Sequence, residues 1–374
     1  MIVFLLAVVL VYAVTIAQLI YGFGKIKTFT PTHQQPQTYF SIVVPFRNEA
    51  KNLPDLLASI KQLDYPIELI ELILVDDFSE DQSQRVVYDW RMNNGQYEFT
   101  LLENINMTGS PKKDAIARAI HIVKGQWVVT TDADCTFPKG WLRTLDNFIQ
   151  QSQAEMLIGS VSYAPSKSFI RQFQQLDLAS LQGATIGSFG LGLGFMCNGA
   201  NFAYTKKLFH ELGGFAGNQN KATGDDVFLV QKAVANCPEK VHYLKAEGNI
   251  VSTKPLTSWG ALFQQHARWA SKAGDYQSVF GKDLAVIVFL GNLAILMALA
   301  LTLFGKLAGC ELVALFAIKF LVDTILLYKT NQFLTGKWMW GLVPSAVIYP
   351  FFSVAVAVYV LVFGYSWKGR RFKV

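Results

Sequence analysis

The nine residues Trp127-Val128-Val129-Thr130-Thr131-Asp132-Ala133-Asp134-Cys135 decide how this chain is read. They open as a continuous apolar run of the kind a buried strand shows, and they end in two carboxylates one alanine apart. An unpaired buried charge is costly, so a strand that ends this way calls for a partner. A divalent cation is one such partner. In an open parallel sheet, ligands gather beyond the carboxyl ends of the strands, and an Asp-x-Asp turn there suits Mg²⁺ or Mn²⁺ shared with a diphosphate. The competing reading is a solvated turn that happens to contain two Asp, and the surrounding sequence decides between them.

Upstream, Phe40-Ser41-Ile42-Val43-Val44-Pro45 and Leu69-Ile70-Glu71-Leu72-Ile73-Leu74-Val75 read as strands, Phe99-Thr100-Leu101-Leu102 as a third, and Gln126 to Thr131 as the fourth. Between them, Asn52 to Leu63, Asp81 to Met92 and Lys112 to Val123 carry apolar residues at helical spacing, with Pro54 tolerated in a first turn. Strands alternating with helices predict an α/β domain with a parallel sheet covered on both faces. Three of the strands run into polar residues: Arg47-Asn48-Glu49, Asp76-Asp77 and Asp132-Ala133-Asp134. Acids recurring at one end of separate strands mark a ligand edge, against the blander reading of loops that begin with polar residues. No glycine-rich phosphate turn follows the first strand, which disfavours a dinucleotide cofactor. The run Gly190-Leu191-Gly192-Leu193-Gly194 follows no clear strand and reads as a mobile loop.

The chain of 374 residues is 52% hydrophobic with mean hydropathy +0.28, too apolar for an ordinary soluble protein. Residues 1 to 23 carry no charge and are long enough to cross a bilayer core of about 30 Å. A signal peptide would want a basic start and a small-residue cleavage site, and neither is present. The expected organisation is an anchor over 1–24, a Pro- and Gln-containing linker over 25–38, the α/β domain over 39–255, an amphipathic interfacial helix over 256–282, membrane helices over 283–366 and a basic tail over 367–374. The membrane part would span at Leu284 to Phe304, Leu312 to Tyr328 and Gly341 to Phe363, with Lys319 and Asp323 spaced to pair within their helix. Lys25 and Lys27 place the α/β domain on the cytoplasmic side of a multi-pass, inner-membrane protein. The basic tail asks for the same side, which an odd number of C-terminal spans denies, so either one segment is re-entrant or broken near Pro344 or Pro350, the favoured reading, or the tail lies outside against its charge. The four Cys, at 135, 197, 237 and 310, show neither a zinc-knuckle nor a disulfide spacing. A net charge of +6 favours anionic partners, and the dispersed basic residues make nucleic acid the least favoured of them.

Taken together, Val43-Val44-Pro45-Phe46-Arg47-Asn48-Glu49, Leu74-Val75-Asp76-Asp77-Phe78-Ser79, Lys112-Lys113-Asp114-Ala115-Ile116 and Thr131-Asp132-Ala133-Asp134 resemble, in order and spacing, the inverting family 2 glycosyltransferases with a GT-A fold. The resemblance runs from about residue 40 to residue 270. It implies a mixed, mostly parallel sheet that binds a nucleotide-diphospho-sugar. In this family Asp76 or Asp77 would contact the uracil and ribose of a UDP-sugar, with Pro45, Arg47 and Glu49 in the adjoining motif. Lys112 corresponds to the family's phosphate-side lysine, although Pro111 replaces the usual glycine before it. Asp132 and Asp134 would hold Mg²⁺ or Mn²⁺ on the diphosphate.

Further along, Cys197-Asn198-Gly199-Ala200-Asn201-Phe202-Ala203 resembles the segment that lines the sugar site, with a purely structural role for the two Asn equally open. Thr223-Gly224-Asp225-Asp226-Val227-Phe228-Leu229 resembles the motif whose acid takes the proton of the acceptor hydroxyl. Alignment on Phe228 and Leu229 makes Asp226 that base, and a direct Thr-x-Asp alignment makes it Asp225. Gln265-His266-Ala267-Arg268-Trp269 matches the Gln-x-x-Arg-Trp pattern of cellulose, chitin and hyaluronan synthases and, with variation, of ceramide glucosyltransferases. Helical spacing puts Gln265, Arg268 and Trp269 on one face. In that family Gln and Arg approach the donor diphosphate and Trp borders the acceptor pocket, whereas His266 is expected to pack or cap. The implied protein is a membrane-bound hexosyltransferase acting on a lipid hydroxyl. A processive polysaccharide synthase and a non-catalytic nucleotide-sugar or lipid-binding membrane protein stand as the alternatives.

Overall fold

The structure, a computed structural model, describes residues 1–164, 166–219, 221, 223–367 and 370–372. Its elements begin with α1 (Ile2–Lys25), β1 (Phe40–Phe46), α2 (Leu53–Lys61), β2 (Ile70–Asp76), α3 (Ser83–Met92), β3 (Glu98–Glu103), α4 (Pro111–Ile122) and β4 (Trp127–Thr130). Then come β5 (Cys135–Thr136), α5 (Trp141–Gln151), β6 (Met156–Gly159), β7 (Val161–Tyr163), α6 (Phe169–Gly190), β8 (Phe202–Thr205), α7 (Lys206–Glu211), α8 (Asp225–Asn236), β9 (Val241–Leu244) and β10 (Val251–Thr253). The chain ends with α9 (Trp259–Ala270), α10 (Val279–Leu303), α11 (Gly309–Thr335), α12 (Leu342–Phe363), β11 (Tyr365–Trp367) and β12 (Arg370–Phe372). Two compact units share these elements: Lys27–Ala164 with Met196–Lys254, and Met1–Ile26 with Pro165–Phe195 and Pro255–Val374.

The first unit is an α/β domain around a seven-stranded sheet of order β3-β2-β1-β4-β8-β6-β9. Neighbours run parallel except β8, which is antiparallel to both β4 and β6, so the sheet is mixed and mostly parallel. β1 and β2 are apolar at nearly every position because both faces are covered, and Ile42, Val44, Leu72 and Leu74 pack with Leu53, Leu56 and Ile60 of α2. Register aligns Phe46 with Asp76, Asp76 with Glu103 and Val43 with Thr130, so β1 to β4 end on one edge. Antiparallel β8 starts at that edge, with Phe202 opposite Thr130. A second sheet of order β5-β10-β7 pairs Cys135 with Thr253, so the turn at Asp132 to Asp134 carries the chain from one sheet into the other.

The second unit is helical. α1, α10 and α12 are each long and apolar enough to cross a membrane. α11 runs continuously through the expected span at 312–328, with the Lys319 ammonium 2.5 Å from Asp323 Oδ2 and the Tyr12 hydroxyl donating to Asp323 Oδ1 at 2.6 Å. Two expectations are corrected here. The break anticipated at Pro344 or Pro350 is absent, since α12 is one helix with Pro350 inside it; a proline removes a single N–H donor, and an apolar helix keeps the rest of its ladder. The segment 165–195, expected inside the α/β domain at 39–255, groups with the helices instead. Its helix α6 lies against α1 through glycines: a side chain at Gly187 or Gly190 would meet the backbone of Leu19 or Gly22. Gly190-Leu191-Gly192-Leu193-Gly194 is accordingly the end of α6 and the turn after it, with Gly192 at φ +73. Of the basic tail at 367–374, positions 368, 369, 373 and 374 lie outside the described residues, and β11 pairs antiparallel with β12.

Candidate active site

The loops after β1 and β2 are knitted together at the edge where β1 to β4 end. Arg47 follows β1 and donates from Nη1 to the carbonyls of Asp77 and Phe78, both at 2.8 Å, and from Nη2 to Glu80. Asn48 and Phe78 both sit in the left-handed region, at φ 54 and 57, which costs side-chain-bearing residues of order 1–3 kcal/mol and concentrates at functional sites. Asp76 ends β2 fully buried, accepting the Ser79 N–H at 3.1 Å and the Gln84 amide. Asp77 accepts from Asn104 Nδ2 at 2.9 Å, and the same amide donates to the carbonyl of Pro111 at the start of α4. Pro45 lies within β1, and Glu49 accepts from Asn52 at 2.6 Å. Nothing in the sequence pointed to Asn104, which ties the Asp77 end of β2 to α4.

Lys112, in the first turn of α4, draws the acids together. Its Nζ stands 2.8 Å from Asp132 Oδ1 and 3.3 Å from Asp225 Oδ2. Asp132 is the open member, with 42% of its side chain exposed against 10% for Asp225. Burial alone would lower the Lys112 ammonium; Asp132 first, then Asp225 and Asp226, outweigh it and hold the group above the usual lysine range. Burial and then Asp225 likewise push the Tyr204 phenol up. Beside the second acid of the turn, burial, Asp134 and Asp132 raise the Cys135 thiol, whose Sγ is 3.5 Å from Asp134 Oδ1.

Asp226 is held from two sides. Its Oδ2 accepts the Gly199 N–H at 2.8 Å and its Oδ1 the Val227 N–H at 2.7 Å. Gly199 is packed so closely that a Cβ there would fall 3.3 Å from Lys112 Nζ and 3.4 Å from Asp225 Oδ2. The Asn-Gly-Ala-Asn segment therefore divides its work. Its glycine meets the acids, while Asn198 accepts the Ala200 N–H. Asn201 faces inward, donating to the Ser160 and Asn249 carbonyls and accepting from Trp141 Nε1 at 3.0 Å. Asn201→Ala should cost roughly 2–3 kcal/mol of folding stability by leaving these buried partners unbonded. Thermal unfolding of the full chain followed by tryptophan fluorescence measures this, and an unchanged midpoint would contradict the structural role.

Among the described residues, no three carboxylate, imidazole or thiol groups converge as a closed metal site. Asp132 and Asp134 are hard oxygen donors at the open edge. That set fits Mg²⁺ or Mn²⁺, which commonly take one or two carboxylates and complete their shell with phosphate oxygens and water.

In the helical unit, Gln265, Arg268 and Trp269 are half-buried on α9, whose start Ser258 caps by accepting the Ala261 N–H at 3.2 Å. His266 Nε2 is 3.0 Å from Asp177 Oδ2 of α6, and its ring lies 5.0 Å from those of Trp269 and Phe352. The expectation that His266 packs agrees with this setting, but its acidic neighbour Asp177 carried no signal in the sequence.

Comparison with known proteins bears on these residues. Residues 41–213 match the family model described as Glycosyl transferase family 2. The poly(ribitol-phosphate) beta-N-acetylglucosaminyltransferase TarS of Staphylococcus aureus is 29% identical over 119 residues, 32% of this chain and 20% of that protein. An undecaprenyl-phosphate 4-deoxy-4-formamido-L-arabinose transferase of Pseudomonas fluorescens is 36% identical over 102 residues, 26% of this chain and 28% of that protein. The chain thus spans only 20% and 28% of the length of these two relatives. The solved mannosyltransferase PcManGT from Pyrobaculum calidifontis, in complex with GDP-Man and Mn²⁺, shares the fold at a TM-score of 0.59 and 18% identity, covering 96% of this chain and 99% of that one.

Proposed function

We propose that this chain, whose residues 41–213 match the model of glycosyl transferase family 2, moves a hexose, with inversion, from a UDP-sugar to a hydroxyl of a lipid acceptor at the cytoplasmic face of the inner membrane. The observation that carries the reading is the Lys112 ammonium shared by Asp132, from the end of β4, and Asp225, from the start of α8. It brings an acid of the donor-side motif and the acid pair of the acceptor-side motif into one group.

Asp76 and Asp77 would face the nucleoside, in a loop that Arg47 braces. A carboxylate accepts from ribose hydroxyls and from the uracil N–H, and the Lys112 ammonium at the helix start suits diphosphate oxygens. Asp132 and Asp134 would hold Mg²⁺ or Mn²⁺, which when bound neutralises charge on the departing diphosphate. Asp226 is the proposed base. The Gly199 and Val227 N–H groups fix its rotamer, and a carboxylate offers about four lone-pair sites, enough to accept the acceptor hydroxyl as well. Asp225 holds Lys112. Gln265 and Arg268 are assigned to the diphosphate and Trp269 to the acceptor, on their match to the family pattern.

Two observations favour a lipid over a growing polysaccharide. Three described helices are long and apolar enough to span, few for enclosing an exit channel, and the Pseudomonas fluorescens relative is named for transfer involving undecaprenyl phosphate. The purified protein in lipid nanodiscs, given labelled UDP-sugar, a divalent cation and extracted lipids, should yield one labelled lipid species and stoichiometric UDP. A ladder or polymer would point to the processive alternative, and no cation-dependent UDP release from any UDP-hexose would point to a non-catalytic binding protein.

A further inference from the structure

Lys113, next to Lys112 on α4, has no part in the chemistry above and is only 1% exposed. Its Nζ donates to the carbonyls of Asn218 at 2.7 Å and Lys221 at 2.9 Å, and it stands 5.3 Å from the centre of the Phe228 ring. Those carbonyls belong to the loop that leads into Asp225, and Phe228 lies two residues beyond Asp226 on α8. A second lysine grips the same loop. Lys232 of α8 donates to the carbonyls of Gly214 at 2.8 Å and Ala216 at 2.6 Å, and burial lowers its ammonium below the usual range. Gly213, Gly214 and Gly217 adopt positive φ, the backbone freedom that lets so short a loop turn several carbonyls toward ammonium groups.

Burying an ammonium is costly unless oxygens surround it, and an apolar side chain of similar length would remove both of these charge-assisted bonds. The geometry is informative because of where α4 starts. Asn104 joins Asp77 to the Pro111 carbonyl, Lys112 joins Asp132 to Asp225, and Lys113 joins the same turn to the loop and first turn of α8. We propose that Lys113 is a positioning residue, which sets the start of α8, and so the Asp225–Asp226 pair, against the donor-side acids. This rests on reading those acids as the two sides of a transfer site.

The test uses the full-length protein in nanodiscs as Lys113→Met, Lys113→Ala and Lys113→Arg. Lys113→Met is expected to lose on the order of 10–10²-fold in kcat, as misplaced catalytic groups do, while donor KM stays within about twofold. Amide hydrogen exchange should quicken in peptides covering 196–202 and 212–230 and stay unchanged over 40–103. Lys113→Arg should retain most of kcat, and ethylammonium should restore part of kcat to Lys113→Ala without affecting the unsubstituted protein. Native kcat with native exchange in Lys113→Met would overturn the proposal, as would exchange that quickens evenly across the α/β unit, or a loss confined to donor KM. If the unsubstituted protein transfers no sugar, the functional reading fails by itself, and the exchange comparison still decides whether Lys113 sets α8.

Discussion

Asp226→Asn is expected to lower kcat by roughly 10²- to 10⁴-fold, the range that a positioned general base contributes. The substitution keeps the shape of the side chain and removes its charge. The amide oxygen of Asn still accepts one backbone N–H, so the start of α8 retains a link of the kind it has with Gly199 at 2.8 Å, and the Lys112 contacts to Asp132 and Asp225 do not involve the altered group. Donor affinity should therefore hold, as measured by calorimetry with UDP and the cation, while UDP release under turnover collapses. Asp225→Asn is the discriminating companion. It removes charge beside Lys112, so its effect should fall on donor affinity as well as on kcat. Were Asp225→Asn to suffer the larger loss in kcat with donor affinity intact, and Asp226→Asn to stay active, the base would be Asp225.

The acid-bearing edge where β1, β2 and β4 end was legible for a physical reason. In a parallel sheet covered on both faces the strands are uniformly apolar, so their ends stand out as abrupt polar steps, and Asp76, Asp77, Asp132 and Asp134 each sit at one. Side-chain partners leave no such trace. That Lys112 answers Asp132 and Asp225, or that Asn104 joins Asp77 to Pro111, depends on contacts between residues remote in sequence, which periodicity does not encode. The insertion of antiparallel β8 between β4 and β6 was hidden likewise, because Phe202 to Thr205 reads as a strand in either direction. The unbroken α12 shows the opposite error, in which a local rule about Pro350 was given more weight than the drive of an apolar segment to keep its backbone bonded.

The place of α6 was legible only in retrospect, through glycines, and these carry the second large effect. Gly190→Val is expected to destabilise the helical unit by about 3 kcal/mol or more. A Cβ at 190 would lie 1.8 Å from the Gly22 carbonyl oxygen, one at 187 would lie 2.4 Å from that of Leu19, and one at 22 would lie 2.1 Å from that of Gly187. In each case the obstacle is backbone, which no rotamer change relieves, so α1 and α6 must separate along the stretch where they cross. Between apolar helices, such close approach supplies much of the attraction through packing, so separation forfeits the contact as well as straining it. Gly24→Ala on α1 provides the control, since nothing lies within 4 Å of a Cβ there and alanine favours the helix. Thermal unfolding of both variants in nanodiscs should show a marked fall for Gly190→Val and none for Gly24→Ala. Equal midpoints for Gly190→Val and the unsubstituted protein would mean that α1 and α6 do not meet backbone to backbone. The glycine-lined crossing that joins α6 to α1 would then be gone, and only its contacts with the later helices, such as Asp177 beside His266, would hold α6 in the helical unit.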